Sequence, residues 1–310
     1  IYFAREDTKT PMRYAVISLT ANTVGSIVLF FVLRELGMMP QLGIAIATTL
    51  GGWSVGSELS YTKDVPVPAN GNDMVAGFLA GVGPYGPTAR KAAGRTPGTA
   101  ATTSPNGSQV PVGTQIPGYG LFDKTSFQFN GVKLFSDVLG AQNLTVIGEA
   151  GFQWNNLPDN DGTNIRYGRG FIYGVGSYNN SVNALGTPAI VANTCSALNP
   201  AFNPQVLGCQ NDGYFSDFAW GTRIRAALTY NNVFDTGITA TPSIFWARDW
   251  SGYSIDSQFV EGRNTWAFGV KFDYEKRFAV DLAYTYYDNS AKYDIFSDRD
   301  FISLGLSTTF

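Results

Sequence analysis

Seven charged side chains carry most of the chemistry this sequence offers: Glu58, Glu149, Arg223, Arg225, Lys271, Asp273 and Asp281. Each falls on the polar parity of a segment in which apolar and polar residues alternate, so each belongs to the wetter of two faces. A mixed set of opposite charges on such a face can line a permeation path or pair across it in interior salt bridges. The spacing fits both. A second group, Arg166-Tyr167-Gly168-Arg169-Gly170, lies in a long polar stretch. There Arg166, Tyr167 and Arg169 could fold inward as a gate or serve as ordinary loop packing.

Catalysis finds less support. The chain has no histidine, which removes histidine general bases, Ser-His-Asp and Cys-His nucleophiles, and the commonest transition-metal ligand. An enzyme would have to use carboxylate, tyrosine or lysine chemistry. The pairs Asp159 with Asp161 and Asp298 with Asp300 have a spacing seen in acid pairs and calcium loops, but lack the further ligands that a calcium loop supplies. We therefore expect no catalytic residue, no metal and no cofactor. The two cysteines, Cys195 and Cys209, sit in a Gly/Asn/Pro-rich stretch. A disulfide between them would stabilise by roughly 3 kcal/mol in the chain-entropy model and belongs to an oxidising compartment; two free loop thiols are the alternative.

The elements that must position these residues are strands. Hydrophobic residues make up 44% of the 310 and charged residues only 15%, with mean hydropathy near zero, so apolar and polar residues are finely interleaved. That mixture suits a sheet wetted on one face. Aromatics reach 14%, as expected where rings sit at membrane–water boundaries. With a net charge of -3 and no Lys/Arg cluster, no nucleic-acid partner is expected.

Period-two alternation runs through Trp53–Lys63, Ser126–Phe135, Leu144–Trp154, Trp220–Tyr230, Ile238–Trp246, Trp266–Tyr274, Phe278–Tyr286 and Ile302–Phe310, which predicts about eight strands. A bulge near Asn130-Gly131 would restore the phase of the second segment and keep Lys133 off the apolar face. Pro242 in mid-strand suggests another bulge. Short turns alternate with long connections at about 64–123, 155–218 and 249–263, the two-sided signature of an outer-membrane barrel. An alternating last strand that closes on Phe310 fits the signal read by the outer-membrane assembly machinery.

Before Trp53 the text differs. Tyr14 to Leu33 is an uncharged run of about 20 residues, long enough to span a bilayer as a helix, and Leu42 to Trp53 looks like the start of another span. Basic Arg5, Lys9 and Arg13 precede the first run, but it is too long for the apolar region of a signal peptide. Residues 1–52 are thus expected to be an apolar helical segment and 53–310 a barrel portion.

Phe3–Pro11 and Gly43–Trp53, reading FAREDTKTP and GIAIATTLGGW, resemble a segment of MurJ-type (MviN-type) lipid II flippases of the inner membrane. The phrases FQFNGVKLFSDVLGAQNLTVIGEAGF (127–152), RYGRG (166–170), CQNDGYFSDFAWGTRIRAALTYNNVF (209–234), FVEGRNTWAFGVKFDYEKRFAVDLAYTYY (259–287) and SDRDFISLGLSTTF (297–310) resemble the C-terminal half of the outer-membrane family catalogued as domain of unknown function 1302. That resemblance implies an all-β transmembrane antiparallel barrel, here part of a larger one, in the outer membrane of a Gram-negative cell. It also implies passive uptake of small hydrophobic or aromatic molecules, with membrane lipid and the assembly machinery as partners. An apolar helix of that length tends to stop in the inner membrane, whereas a barrel crosses the periplasm with mildly apolar strands. The two segments together therefore also read as an artificial or misassembled fusion. An outer-membrane enzyme and an inner-membrane lipid carrier based on residues 1–53 are further alternatives.

Overall fold

The structure is a computed structural model; it describes residues 41–80, 83–92, 113, 115–161, 163–174, 176, 181–182, 188–189 and 210–309. Nine strands form one antiparallel sheet: β1 Gln41–Leu50, β2 Trp53–Pro68, β3 Tyr119–Val138, β4 Ala141–Asn155, β7 Phe218–Val233, β8 Ile238–Ser251, β9 Asn264–Tyr274, β10 Phe278–Tyr287 and β11 Phe301–Thr308. Each pairs with its neighbour in chain order, and the sheet is open, with β1 and β11 at its edges. A separate ribbon joins β5 Ser181–Val182 to β6 Pro188–Ala189. The all-β expectation holds, and all eight alternating segments fall in strands, the last as far as Thr308.

The ninth strand corrects the sequence reading. Gln41–Leu50, expected to begin a second helical span, is β1, and Trp53 is the first residue after a two-residue hairpin turn. Leu42, Ile44 and Ile46 alternate with Gly43, Ala45 and Ala47, and Ile44 stands opposite Leu59. The parity of a strand was present, but a short apolar run cannot be assigned by hydrophobicity alone. Gly51 and Gly52 make the turn at φ +58° and +79°, the doubly positive geometry that matches the twist of a hairpin. No helix among the described residues is long and apolar enough to cross a membrane; Tyr14–Leu33 lies outside them.

The sheet has two unlike ends. At one end the connections are the tight turns at 51–52, 139–140, 234–237 and 275–277. At the other they are long: 69–118, 156–217, 252–263 and 288–300. Two short helices, α1 Gly71–Ala80 and α2 Gly86–Ala92, lie in the first of these.

Neither expected bulge forms where the sequence suggested. β3 keeps one register against both β2 and β4 through Asn130-Gly131, so Lys133 stays on the apolar face with Phe127, Phe129 and Phe135. It sits beside the Gly51-Gly52 turn, where its Nζ donates to the Gly51 carbonyl at 3.4 Å and lies 5.5 Å from the Trp53 ring and 5.0 Å from the Phe135 ring. A lysine at the rim of an apolar face needs no bulge, because its stem lies along the rings while the ammonium reaches water. Opposite Pro242 the β7–β8 ladder skips Leu228 and Thr229 without changing register, since proline has no N–H to give. The shifts fall at strand ends, between Trp220 and Gly221 and between Tyr230 and Val233.

Register fixes two faces. One carries Leu59, Phe127, Val146, Ile224, Ile244, Val270, Leu282 and Leu304. Much of it has no protein cover: Ile302, Leu304 and Leu306 are 72%, 66% and 74% exposed. Toward the long-connection end this face bears a run of rings from Phe127 through Phe152, Trp220, Trp250 and Trp246 to Trp266, with centroids 5.7 to 6.2 Å apart. Toward the tight turns it bears Trp53 against Phe135, 6.4 Å apart.

Candidate functional site

The opposite face carries all seven charged candidates. Glu149 stands across from Arg223, and Lys271 across from Asp281; Glu58 pairs with Gln128, Arg225 with Ile147 and Asp273 with Thr239. Glu58, Arg225, Lys271 and Asp281 are exposed on it. Asp273 accepts from the Lys276 amide at 2.8 Å and so shapes the β9–β10 turn. Arg223 does not close on Glu149. Its Nη2 lies 2.7 Å from Asp249, a buried carboxylate that also stands 3.9 Å from Arg263. Arg263 in turn meets Asp294 at 3.1 Å. This chain of alternating charge, Arg223–Asp249–Arg263–Asp294, ties the wall to the β8–β9 and β10–β11 connections.

At the long-connection end those segments fold over the polar face. The β8–β9 connection lies on the wall. The Ile255 amide donates to Gln153 Oε1 at 3.1 Å, Gln153 Nε2 donates to Asp256 at 2.9 Å, and Lys124 Nζ lies 3.2 Å from the same carboxylate. Phe259 rests on Gly151, where a Cβ would come within 3.0 Å of its ring, and the Arg223 guanidinium stacks on it at 5.5 Å. A side chain at 151 would require the Phe259 ring to give by a few tenths of an ångström. Val67, Leu157 and Ile255 form a small buried cluster with Val65, Phe122, Tyr167 and Phe215 around it. The result is a cap with its own core, set on the wet side of the sheet.

Asp256 has a carboxyl held below the usual carboxylate range. Burial pushes it up, but hydrogen bonds from Ser254, Gln258 and Gln153 and the charge of Lys124 outweigh that push.

The proposed gate residues are the rivets of this cap. Arg166 is buried, 2% exposed, and grips Asp73 of α1 through Nε, at 2.7 Å, and Nη2. Its Nη1 donates to Asn211 Oδ1 at 2.7 Å. Removing one partner of such a pair strands a buried charge and costs about 3–5 kcal/mol. Arg169 donates to the carbonyls of Gln210, Asp212 and Tyr173 at 2.6, 2.8 and 2.8 Å, between the rings of Tyr214 and Tyr293. Tyr167 bridges to Ala69 and meets Phe122 edge-on at 4.8 Å. Burial pushes the Tyr167 and Tyr214 hydroxyls up, so both rings stay neutral at physiological pH. A cavity of about 340 Å3 remains within the cap, bounded by Arg169, Phe215, Tyr253, Phe259, Arg263 and Tyr293.

Asp249, Asp256, Asp73 and Asp294 were missed by the sequence reading. Parity could have found Asp249, which continues the series Thr239, Thr241, Ser243 and Ala247 by two residues. Nothing local marks Asp73, whose partner lies 93 positions away. Asp161 caps its own turn, accepting from the Thr163 hydroxyl and amide and the Asn164 amide. The Thr163 hydroxyl, then the two amides, hold its carboxyl down at about 2. Cys195, Cys209 and Phe310 lie outside the described residues.

Over 61 residues, 20% of the chain, the sequence is 44% identical to the probable lipid II flippase MurJ of Rhizobium tropici, and the chain spans 10% of that protein's length. This agrees with the flippase-like phrases at the N-terminal end. The family described as Protein of unknown function (DUF1302) matches residues 1–310, the stretch before Trp53 included, and the chain belongs to that family.

Proposed function

We propose that the nine-stranded sheet forms an arc of an outer-membrane β-barrel wall, and that the barrel passes small hydrophobic or aromatic solutes. The observation that carries this reading is the sheet's apolar face, aliphatic in its middle and ringed with aromatics toward both ends. A barrel in lipid needs that profile; a soluble sheet would cover such a face. Phe278 to Tyr286 spans about 26 Å along β10 at about 3.3 Å per residue, against an apolar band of about 25 Å in this class.

The wet face supplies the lumen side, and the cap supplies a filter. A ring of about eight or nine strands is nearly filled by its own side chains, so passage calls for a wider ring in which this sheet is one arc. The charges on the wet face, Glu58, Arg225, Lys271 and Asp281 among them, would solvate and sort what passes. The test is reconstitution in lipid vesicles of the complete barrel that contains this sheet, with flux of small neutral aromatics followed against vesicles lacking protein. Accelerated flux is expected; protein that inserts yet leaves flux unchanged rules the channel out.

A further inference from the structure

Among the described residues, Arg248 on the apolar face has no carboxylate within ion-pair distance. Arg248 stands opposite Thr222 and Asn264, on the same face as Trp246, Trp250 and Trp266, where the aromatic run meets the long connections. Its guanidinium carbon lies 5.8 Å from the Trp250 ring centroid. Among the described residues it forms no ion pair, unlike Arg166, Arg223 and Arg263. An acidic side chain tied to this patch, Asp288, is engaged by Asn264 Nδ2 at 3.1 Å.

The neighbouring donors are used internally. Trp246 Nε1 donates to Asn264 Oδ1 at 2.8 Å, and Trp250 Nε1 donates to Thr222 Oγ1 at 2.9 Å. The indoles of Trp246 and Trp250 therefore offer faces rather than N–H groups, and the guanidinium stands beside them as a donor. Between them lies an open hollow of about 470 Å3 bounded by Trp246, Arg248, Trp250, Asn264 and Trp266. A guanidinium presents a planar fork that fits a phosphate in two hydrogen bonds, and exposed indole faces stack on sugar rings. The cation on the same face at the other end, Lys133, differs: it is already turned back onto the Gly51 carbonyl.

We propose that this hollow binds the phosphorylated sugar of an outer-leaflet glycolipid, with Arg248 on the phosphate and Trp250 and Trp266 against the sugar. The proposal rests on the membrane reading above, because the hollow faces away from the cap and meets lipid only if the sheet is a barrel wall. Its place at the long-connection end puts it at the outer leaflet, where long loops of such barrels lie. At that depth a lone arginine is tolerated, and a headgroup phosphate answers its charge.

The test is native mass spectrometry of the full chain released from detergent with diphosphoryl lipid A, the same lipid A stripped of phosphate, or phosphatidylglycerol. Wild type should retain the diphosphoryl form and release the stripped form. Arg248→Gln should retain it about tenfold less, Arg248→Lys should fall between, and Lys133→Gln should match wild type. Equal retention by Arg248→Gln, or of stripped lipid A by wild type, overturns the site. Equal retention of phosphatidylglycerol overturns the glycolipid assignment. Far-UV circular dichroism identifies any variant that fails to fold, and in that case the wild-type comparison of the two lipid A forms decides. Insertion into vesicles is scored separately: protein that never inserts removes the membrane reading and this site together, whereas protein that inserts and ignores the phosphate removes the site alone.

Discussion

Asp256 is one of the residues by which the β8–β9 connection holds to the wall, and its ionisation sets when its part of that hold exists. Its carboxyl is depressed in the folded cap by partners that need the anion, namely Ser254, Gln258, Gln153 and Lys124. A folded value below the unfolded one, which is about 3.9 for aspartate, places the stabilisation above that unfolded value. It is lost as pH falls through the folded value. The clasp should therefore be closed at neutral pH and release only below about pH 4. Hydrogen exchange of residues 252–263, corrected for intrinsic rates, should show protection at pH 7 that fades below that window. Asp256→Asn should exchange faster at pH 7 and lose the acid-dependent step; an unchanged step would mean another group holds the loop. At this scale the sequence was half legible. Arg166 and Arg169 stood out because two arginines in a glycine-rich loop are conspicuous, yet their partners were not. Asp73, the carbonyls of Gln210 and Asp212, and the Asn211 side chain reach them only through the folded cap, so the gate candidates are also cross-links of the cap.

Strands were the most legible elements, since parity is set by the pleat and survives in the sequence wherever one face is apolar. The failures came where parity competed with another signal. β1 was hidden by the apolar run before it. In β3, Lys133 looked misplaced until its seat beside Trp53 and Phe135 removed the need for a bulge. The two faces make a direct prediction for β11, whose neighbours Ser303 and Leu304 pair with Ala283 and Leu282. Leu304→Arg puts a charge on the apolar face and should destabilise by about 2–4 kcal/mol if that position lies near the bilayer midplane. Ser303→Arg puts the same charge on the wet face and should change stability by less than about 1 kcal/mol. Reversible urea unfolding in lipid vesicles measures both. Equal losses would mean that the faces are not lipid and water.

The whole molecule is ordered along one axis: tight turns, a ring of aromatics, an aliphatic middle, a second ring rich in tryptophan, then the cap. Nothing in any single segment states that order. It follows from register, which brings Trp220, Trp246, Trp250 and Trp266 from β7, β8 and β9 to one level and leaves Trp53 at the other end. The arrangement predicts a depth profile. Five of the six tryptophans, all but Trp53, belong to β4, β7, β8 and β9 on the apolar face toward the cap, and Trp53 sits at the opposite boundary. Tryptophan prefers the interfacial level of a bilayer because its ring is apolar and its N–H is not. Native emission in vesicles should therefore be quenched most by lipids brominated close to the headgroup and least by lipids brominated near the chain end. Leu282 lies mid-strand between Val270 and Leu304, so Leu282→Trp should add a component with the reverse preference. A sheet packed in a dry protein core would give no quenching at either depth. A sheet lying flat on the bilayer would give shallow quenching for every site, position 282 included. Only a wall that crosses the bilayer separates the two tryptophan populations by depth.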